Sequence, residues 1–268
     1  DNGLSVGAAY TWQRVRDVSP ATSSTAGSSF GQAAAVDPNN SAYGISNYQR
    51  DSAFRLSVGY QKELFGDNLS RIDLFFNSVS GQRYSYVFQD STSNRSAVFG
   101  TTGQNNRYLI YVPNVSAIDA DPIVSYGAST GQTAQQAFEA MKSLVENSAL
   151  NGYQGQIAPK NIGKSPRFNK MDIRISQEIP FVLGGKVQVF ADVENFLNLI
   201  NKDWNSLRQV AFPYLATVAN VSCVGGTSTG TPCGKYQYSN IRNPSLTQYN
   251  NYSLWQIRVG VRLSFNGL

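Results

Sequence analysis

The sequence predicts an all-β protein, an antiparallel portion of a transmembrane β-barrel, and three observations carry this prediction. Six segments alternate apolar and polar residues with the period of two that an extended strand requires. Charged residues make up only 15% of the 268 residues and aromatic residues 12%, a composition that favours aromatic-girdled β structure. Long loops and short turns alternate between the segments, so that every long loop falls on one side, as in outer-membrane barrels.

The closing stretch, residues 254–265, shows the alternation most completely. One face is polar or Gly and holds Gln256, Arg258, Gly260, Arg262 and Ser264. The other face is wholly apolar and has an aromatic residue at each end, which suits a bilayer with interfacial aromatic girdles and a wet interior. The apolar face comprises Trp255, Ile257, Val259, Val261, Leu263 and Phe265.

Five earlier segments have the same pattern. We predict strands over residues 4 to about 15, 53–64, 69 to about 79, 169–179 and 186–197. Residues 65–68, Phe-Gly-Asp-Asn, form one short turn, because Asp and Gly supply the local hydrogen bond and the permissive backbone that a turn needs. Pro180 ends the fourth strand, and Gly184 with Gly185 turns the chain into the fifth.

The second of the long connections, residues 80–168, is predicted to contain structure of its own. Tyr-rich alternating segments at 83–88 and 107–112 are expected to pair as a hairpin beyond the main sheet. A helix follows, in which Thr133 and Gln136 fit a capping box, and we interpret it as packing its apolar stripe onto a long loop. The residues at helical spacing are Ala134, Ala137, Phe138, Met141, Leu144 and Val145.

Composition excludes several functions. The chain has no histidine, which removes Ser-His-Asp and Cys-His catalysis and the commonest transition-metal ligand. The net charge of +5 comes from Lys and Arg that are scattered singly, so we expect no nucleic-acid partner. No run approaches the roughly 18 apolar residues of a membrane helix. A search for such runs does not detect the strands of a membrane barrel, which are shorter and alternate apolar with polar residues.

We predict no catalytic, cofactor or metal site. Residues 230–235 superficially resemble a phosphate loop, but the spacing is short and Tyr236 stands where Ser or Thr belongs. Asp119 and Asp121 lack the Gly and Glu that a calcium-binding EF-hand needs around them.

Carboxylates on the fourth and fifth strands resemble paired catalytic acids, namely Asp192 with Glu194 and Asp172 with Glu178. Arg174 is expected opposite Asp192 across the hairpin, on the polar face. We therefore interpret these carboxylates as part of a charged lattice on a lumen wall.

The two cysteines, Cys223 and Cys233, lie in a Gly-, Thr- and Ser-rich segment. They are most simply a small disulfide loop, which implies an oxidising compartment, and two free thiols are the alternative. Because residue 1 lies almost inside a strand, we expect a processed or truncated start.

The one-sided loops predict an orientation. The short turns and the C-terminus would face the periplasm. Aromatic girdles would form at the outer interface from Trp12, Phe54 and Trp255, and at the inner one from Phe65, Phe181 and Phe265. Six strands cannot close a lumen, since the smallest common barrels use about 8, and the long loops indicate the class in which about 22 strands surround a plugged lumen.

Three stretches carry a resemblance to a known family: residues 169–180, Asn-Lys-Met-Asp-Ile-Arg-Ile-Ser-Gln-Glu-Ile-Pro, residues 186–198 and residues 257–265. They resemble the C-terminal strands of TonB-dependent outer-membrane receptors, in particular the Oar-like subgroup. The likeness covers most of the chain, including residues 107–113 and the helix-bearing loop. Unlike many members, which end on their aromatic residue, this chain continues from Phe265 for three residues.

The resemblance implies a 22-strand barrel, an N-terminal plug and energised uptake of a bulky ligand in the outer membrane of a Gram-negative bacterium. Residues 1–268 would be the C-terminal part of the barrel. The plug and the TonB box would lie outside these residues, so the chain alone would not be a working transporter. Its expected partners are outer-membrane lipid, the remaining strands and plug, the TonB complex and an extracellular ligand.

Two alternatives stay open. One is a structural or adhesive outer-membrane barrel without active transport, and the other is a secreted soluble β-sandwich that binds a partner. The Tyr- and Asn-rich loops suit sugars, peptides or siderophores alike, so the sequence predicts neither the ligand nor the residues that contact it.

Overall fold

The computed structural model describes residues 3–37, 40–90, 107–180, 185–225 and 233–264. Of these residues 49% are in strands and 15% in helices, and the main sheet is antiparallel, so the chain is mostly β as predicted. Within the described ranges no helix is both long and apolar enough to cross a membrane.

The described strands, in chain order, are β1 (Leu4–Trp12), β2 (Arg16–Asp17), β3 (Ala35–Asp37), β4 (Asn40–Ser41), β5 (Gly44–Ile45), β6 (Ser52–Phe65), β7 (Asn68–Val79), β8 (Arg83–Asp90), β9 (Tyr111–Val112), β10 (Val124–Tyr126), β11 (Gln156–Ile157), β12 (Gly163–Lys164), β13 (Phe168–Pro180), β14 (Lys186–Glu194), β15 (Arg208–Gln209), β16 (Leu215–Val224), β17 (Lys235–Ser239), β18 (Thr247–Gln248) and β19 (Gln256–Ser264). The α-helices are α1 (Ala26–Gln32), α2 (Ala134–Glu146), α3 (Phe196–Ile200) and α4 (Asn250–Ser253), and a 3-10 helix spans Ala149–Tyr153.

The six predicted strands form one antiparallel sheet in the order β1-β6-β7-β13-β14-β19. The clearest boundary error is at the end of β14, which was predicted to reach residue 197 but ends at Glu194. Asn195 adopts a left-handed conformation with φ of 51°, and α3 begins at the next residue. This backbone conformation is not extended, so it ends the strand, and Asn adopts it more readily than most residues do. The alternating pattern does not reveal such a conformation.

The connections between these strands are one-sided, as predicted. The two-residue turn between β6 and β7 places Gly66 at a φ of +59°, where Gly meets little strain, and the Asn68 Nδ2 donates to the Phe65 carbonyl at 2.7 Å. The predicted turn at Gly184 and Gly185 falls largely on residues outside the described ranges, but Pro180 pairs with Lys186 beside it. The three long connections all leave from the opposite end of the sheet.

One face of the six-stranded sheet is apolar across its full width. A single row of directly paired residues runs through Val6, Val58, Leu74, Ile173, Val193 and Ile257. The side chains of this face are open to solvent at both edges of the sheet, with Val6 64% exposed and Val259 73% exposed. Among the described residues, no second layer covers these exposed side chains.

The three long connections, residues 13–51, 80–167 and 195–255, fold together beyond that end of the sheet, and we call their described parts the loop layer. Its main element is a five-stranded sheet in the order β10-β17-β16-β8-β12, built from the second and third connections. The first connection packs Ala34 and Ala42 against Val87 and Leu109 of the second. The loop layer thus has a hydrophobic core of its own.

The predicted hairpin between 83–88 and 107–112 is correct only in part. Phe88 N–H donates to the Tyr108 carbonyl at 2.9 Å and Ile110 N–H to the Tyr86 carbonyl at 3.1 Å, so the two segments do pair. The longer partner of β8, however, is β16, which runs parallel to it and comes from the third connection. Local alternation does not identify so distant a partner.

The predicted helix is confirmed as α2, including its capping box. Thr133 Oγ1 accepts the Gln136 N–H at 3.2 Å, and Gln136 Oε1 accepts the Thr133 N–H at 2.9 Å. The apolar stripe is buried against the five-stranded sheet, with the rings of Phe138 and Tyr126 5.4 Å apart. The helix therefore packs on the loop layer, as interpreted from the sequence.

Candidate functional site

A cleft of about 610 Å³ opens in the loop layer where the C-terminal end of α2 lies over β8 and β12. Its size is that of an ordinary ligand site. One wall is the end of α2 with the residues that follow it, from Ser143 to Ala149, and another is the segment from Asn243 to Leu246. The floor comprises Tyr84 and Tyr86 of β8, and the third wall is the stretch around β12.

The floor is an uncharged pair of phenols. The hydroxyls of Tyr84 and Tyr86 are 3.2 Å apart and hydrogen-bonded, and both side chains are buried. Burial raises the pKa of Tyr84 well above its ordinary value, and the hydrogen bond with Tyr86 adds to that rise. The Tyr84 ring lies against Gly163, where a Cβ atom would come within 2.3 Å of the ring. Gly163 therefore allows β12 to lie directly beside the phenols.

A charged cluster lies at the start of β6 and beside β12. Asp51 contacts Arg83 at 2.7 Å and Lys164 at 2.9 Å, and it accepts a hydrogen bond from Gln49 at 2.7 Å. Burial acts to raise the pKa of Asp51, but the hydrogen bonds from Gln49, Lys164 and Arg83 outweigh burial and lower it to about 2. Asp51 is therefore ionised at neutral pH, and it compensates the charge of Lys164, which is the one charged residue among the described residues that line the cleft.

Two further contacts fix the segment before β12 to the first connection. The buried Lys160 ammonium contacts the Asp17 carboxylate and donates to the Asp17 and Val18 carbonyls at 2.8 and 3.0 Å. Asn161 Nδ2 donates to the Ile45 carbonyl at 2.6 Å. Because these partners come from a different connection, the third wall of the cleft is held in place before any ligand arrives.

The polar face of the six-stranded sheet carries the predicted charged lattice. Arg174 lies opposite Asp192, as predicted, with Nε 3.4 Å from Oδ1. The same row of paired residues continues to Asp73 on one side and to Arg258 on the other. Charges therefore alternate in sign across neighbouring strands, which makes the cross-strand neighbours attractive.

The other carboxylates predicted to belong to this lattice also have basic partners. Lys170 lies 3.3 Å from Asp172 and 3.3 Å from Glu194, and Glu178 lies 2.9 Å from Lys186. These contacts tie each carboxylate to a cation, as a structural lattice requires.

The aromatic residues predicted to form girdles lie at the expected ends of the sheet, as far as they are described. Trp12 and Trp255 are exposed where the long connections begin and end. Phe54, the third residue of β6, lies at the same end of the sheet but is half-buried. Phe65 is exposed at the opposite end. Phe181 and Phe265 fall outside the described residues.

Two further sequence features have structural roles. Cys223 and Cys233 are joined by a disulfide, with Cα atoms 5.5 Å apart, and residues 230–232 of the supposed phosphate loop lie outside the described ranges. Asp121 accepts the backbone N–H groups of Asn114 at 2.9 Å and Ile123 at 3.0 Å, which fixes its loop. In the part of the chain that is described, no group of three or more His, Cys, Asp or Glu side chains is placed to hold a metal ion.

No family model, curated protein or solved structure matches the chain. The fold that the residues define is an open six-stranded antiparallel sheet, apolar on one face and charged on the other, with a folded loop layer at one end.

Proposed function

We propose that the chain is a wall segment of an outer-membrane receptor of a Gram-negative bacterium. In this proposal the six-stranded sheet lies in the bilayer, its charged face lines the lumen, and the loop layer recognises an extracellular ligand that is taken up with energy from TonB. The observation that carries the proposal is the exposed apolar face, which crosses every strand of the sheet.

The dimensions of the apolar face fit a bilayer. From Leu4 to Trp12 the alternating face of β1 extends about 26 Å along the strand, at about 3.3 Å per residue. Tilted strands bring this nearer to about 20 Å along the membrane normal, comparable with the apolar band of about 25 Å on outer-membrane barrels. With strands about 4.8 Å apart, the face covers roughly 600 Å². An apolar patch of that size is at the upper limit for soluble monomers.

The open edges of the sheet support a larger barrel. In the described residues β1 pairs only with β6, and β19 only with β14. An unpaired strand edge in lipid leaves backbone groups without hydrogen bonds, at a cost of several kcal/mol for each group. Further strands would remove that cost. The strand number of about 22, the plug and the coupling to TonB rest on the sequence resemblance of residues 169–180, 186–198 and 257–265.

A soluble β-sandwich accounts less well for the same geometry. It requires the apolar face to pack against a second sheet. The five-stranded sheet of the loop layer instead buries its own residues, such as Phe88 and Tyr238, against each other and with α2.

Fractionation tests the location. We expect the gene product to remain with the outer membrane through an alkaline carbonate wash and to require detergent for extraction. A monodisperse monomer in the aqueous fraction would refute a bilayer location, because it would mean that the apolar face is covered by protein.

The gene sequence upstream of Asp1 tests the receptor assignment. A plug and a TonB box are expected there, and a signal peptide directly before Asp1 would contradict the assignment. Deletion of TonB separates transport from adhesion: ligand uptake should stop, whereas unchanged uptake with surface adhesion lost on loop deletion would identify an adhesive barrel.

A further inference from the structure

We propose that the cleft of the loop layer binds an extended, uncharged peptide whose main chain pairs with the free edge of β12. The inference rests on the proposed function in one respect, which is that the peptide arrives from outside the cell. It names the class of ligand, which neither the sequence nor the fold assigns.

The hydrogen-bonding pattern of β12 leaves the backbone N–H and C=O of one residue pointing away from β8. Ser165 N–H donates to the Gln82 carbonyl at 2.9 Å, so these two residues are a hydrogen-bonded pair with β8. The neighbouring pair consists of Lys164, which precedes Ser165, and Arg83, which lies directly opposite it on β8. Because hydrogen-bonded and non-hydrogen-bonded pairs alternate in an antiparallel ladder, the N–H and C=O of Lys164 point away from β8.

Nothing in the described part of the five-stranded sheet pairs with that side of β12, which is its last strand. An exposed row of backbone donors and acceptors is a template for another strand. The cleft runs beside it, so an extended peptide placed there would reach both the N–H and the C=O of Lys164.

The side chain of Lys164 does not compete for the cleft. It lies on the same face as Arg83, and both contact Asp51. Gly163 faces the opposite side, against Tyr84. Lys164 therefore offers its main chain to the cleft and its charge to Asp51.

The remaining lining selects an uncharged ligand. Asn147, Ser148 and Asn243 supply amide and hydroxyl groups, and of the lining residues that the structure describes only Lys164 carries a charge. A charged group in the cleft would lose hydration without gaining a counter-charge. Apolar contacts for alternate peptide side chains come from Ile162, Leu144, Pro166, Pro244 and Leu246.

A sugar fits this lining less well than a peptide does. Sugar binding sites use the exposed faces of aromatic rings, and the two rings here are Tyr84 and Tyr86, which are only 6% and 3% exposed. Little of either ring is therefore available to stack against a sugar. A neutral oligosaccharide is accordingly an outcome of the test and not the proposal.

The first experiment compares three probes on the intact gene product in detergent. They are a fluorescent mixture of capped hexapeptides made of Ser, Thr, Asn, Val and Leu, the same mixture N-methylated at every residue, and fluorescent maltohexaose. We expect saturable fluorescence anisotropy with the first and at least tenfold weaker binding of the second, because N-methylation removes donors to the strand edge. Equal binding of both mixtures, preference for maltohexaose, or no binding of any probe would overturn the inference.

The second experiment uses two variants at one position. Lys164→Pro removes the outward N–H without removing a bond to β8, and a strand edge tolerates Pro there. Lys164→Gln removes the charge and keeps the N–H. We expect at least tenfold weaker peptide binding for Lys164→Pro and less than threefold weaker binding for Lys164→Gln. Similar binding by the two variants would contradict main-chain pairing.

A third variant covers the case in which Lys164→Pro does not fold. Leu246→Trp enlarges a side chain on the far wall, where Leu246 is 41% exposed, and should weaken peptide binding at least tenfold by filling the cleft. Unchanged binding would place the peptide elsewhere and overturn the inference. Binding in detergent requires neither lipid nor TonB. If the protein lies in the outer membrane but does not bind the peptide in detergent, the peptide inference alone is rejected. If the protein is found in the aqueous fraction, the proposed function is rejected.

Discussion

The proposal that one side of the sheet faces lipid is tested most simply at two neighbouring residues of β6. Val58 lies on the apolar face, directly between Val6 and Leu74, and Ser57 lies on the charged face. Val58 is six residues from the start of β6 at Ser52 and seven from its end at Phe65, which places it near the middle of the bilayer in our proposal. An Arg at the bilayer midplane costs about 2–4 kcal/mol on the lipid face of a barrel.

We therefore expect Val58→Arg to lower the free energy of unfolding in lipid vesicles by about 2–4 kcal/mol, or roughly 30- to several-hundred-fold in the folding equilibrium. Ser57→Arg is the matched control and should change it by about 0.5 kcal/mol or less, because that face is wet. Urea titration of the intact gene product in vesicles measures both. If the face were in water, a half-buried Val58 would accept Arg at a cost near that of the control, and this result would refute the assignment.

Three further changes test the loop layer. The pKa of Asp51 in the folded state, about 2, lies below its ordinary value of 3.8. The ionised carboxylate should therefore stabilise the folded state by about 1–2 kcal/mol above about pH 4, and this contribution should be lost as the pH falls towards 2. Urea titration at pH 5 and pH 2.5 should show the loss, and Asp51→Asn should abolish the difference between the two pH values. Thr133→Ala should destabilise α2 by about 1 kcal/mol and accelerate its amide exchange, whereas Thr130→Ala, at an exposed position before the helix, should not. Replacing both Cys223 and Cys233 by Ser should cost about 3 kcal/mol in the unfolding of the loop layer, and equal stability of the oxidised and Ser forms would contradict this.

The sheet is predictable from the sequence because its chemistry is periodic. Each strand has one apolar and one polar side, and a shift of one residue would exchange the two faces, so the pattern fixes both strand and register. The pairing of Arg174 with Asp192 follows from that register and is confirmed. Strand ends are less predictable, since a single backbone conformation at Asn195 ends β14 before the apolar pattern does.

The loop layer is less predictable because its contacts join distant parts of the chain. β8 pairs with β16 although about 130 residues separate them, and nothing in the sequence of either strand identifies the other as its partner. The cleft combines β8, the end of α2, the stretch around β12 and residues 243–246. The alternating Tyr84 and Tyr86 were the available signal, and they marked a strand without indicating a cleft.

Collision rates of spin labels along β6 test the central claim most directly. Single labels from Phe54 to Gln61, on the intact gene product in vesicles, report contact with oxygen, which concentrates in lipid, and with a water-soluble nickel complex. We predict a period of two, with oxygen collisions highest at Phe54, Leu56, Val58 and Tyr60 and nickel collisions highest at Arg55, Ser57, Gly59 and Gln61. Nickel collisions that are equally high on both faces would contradict a bilayer location for the sheet.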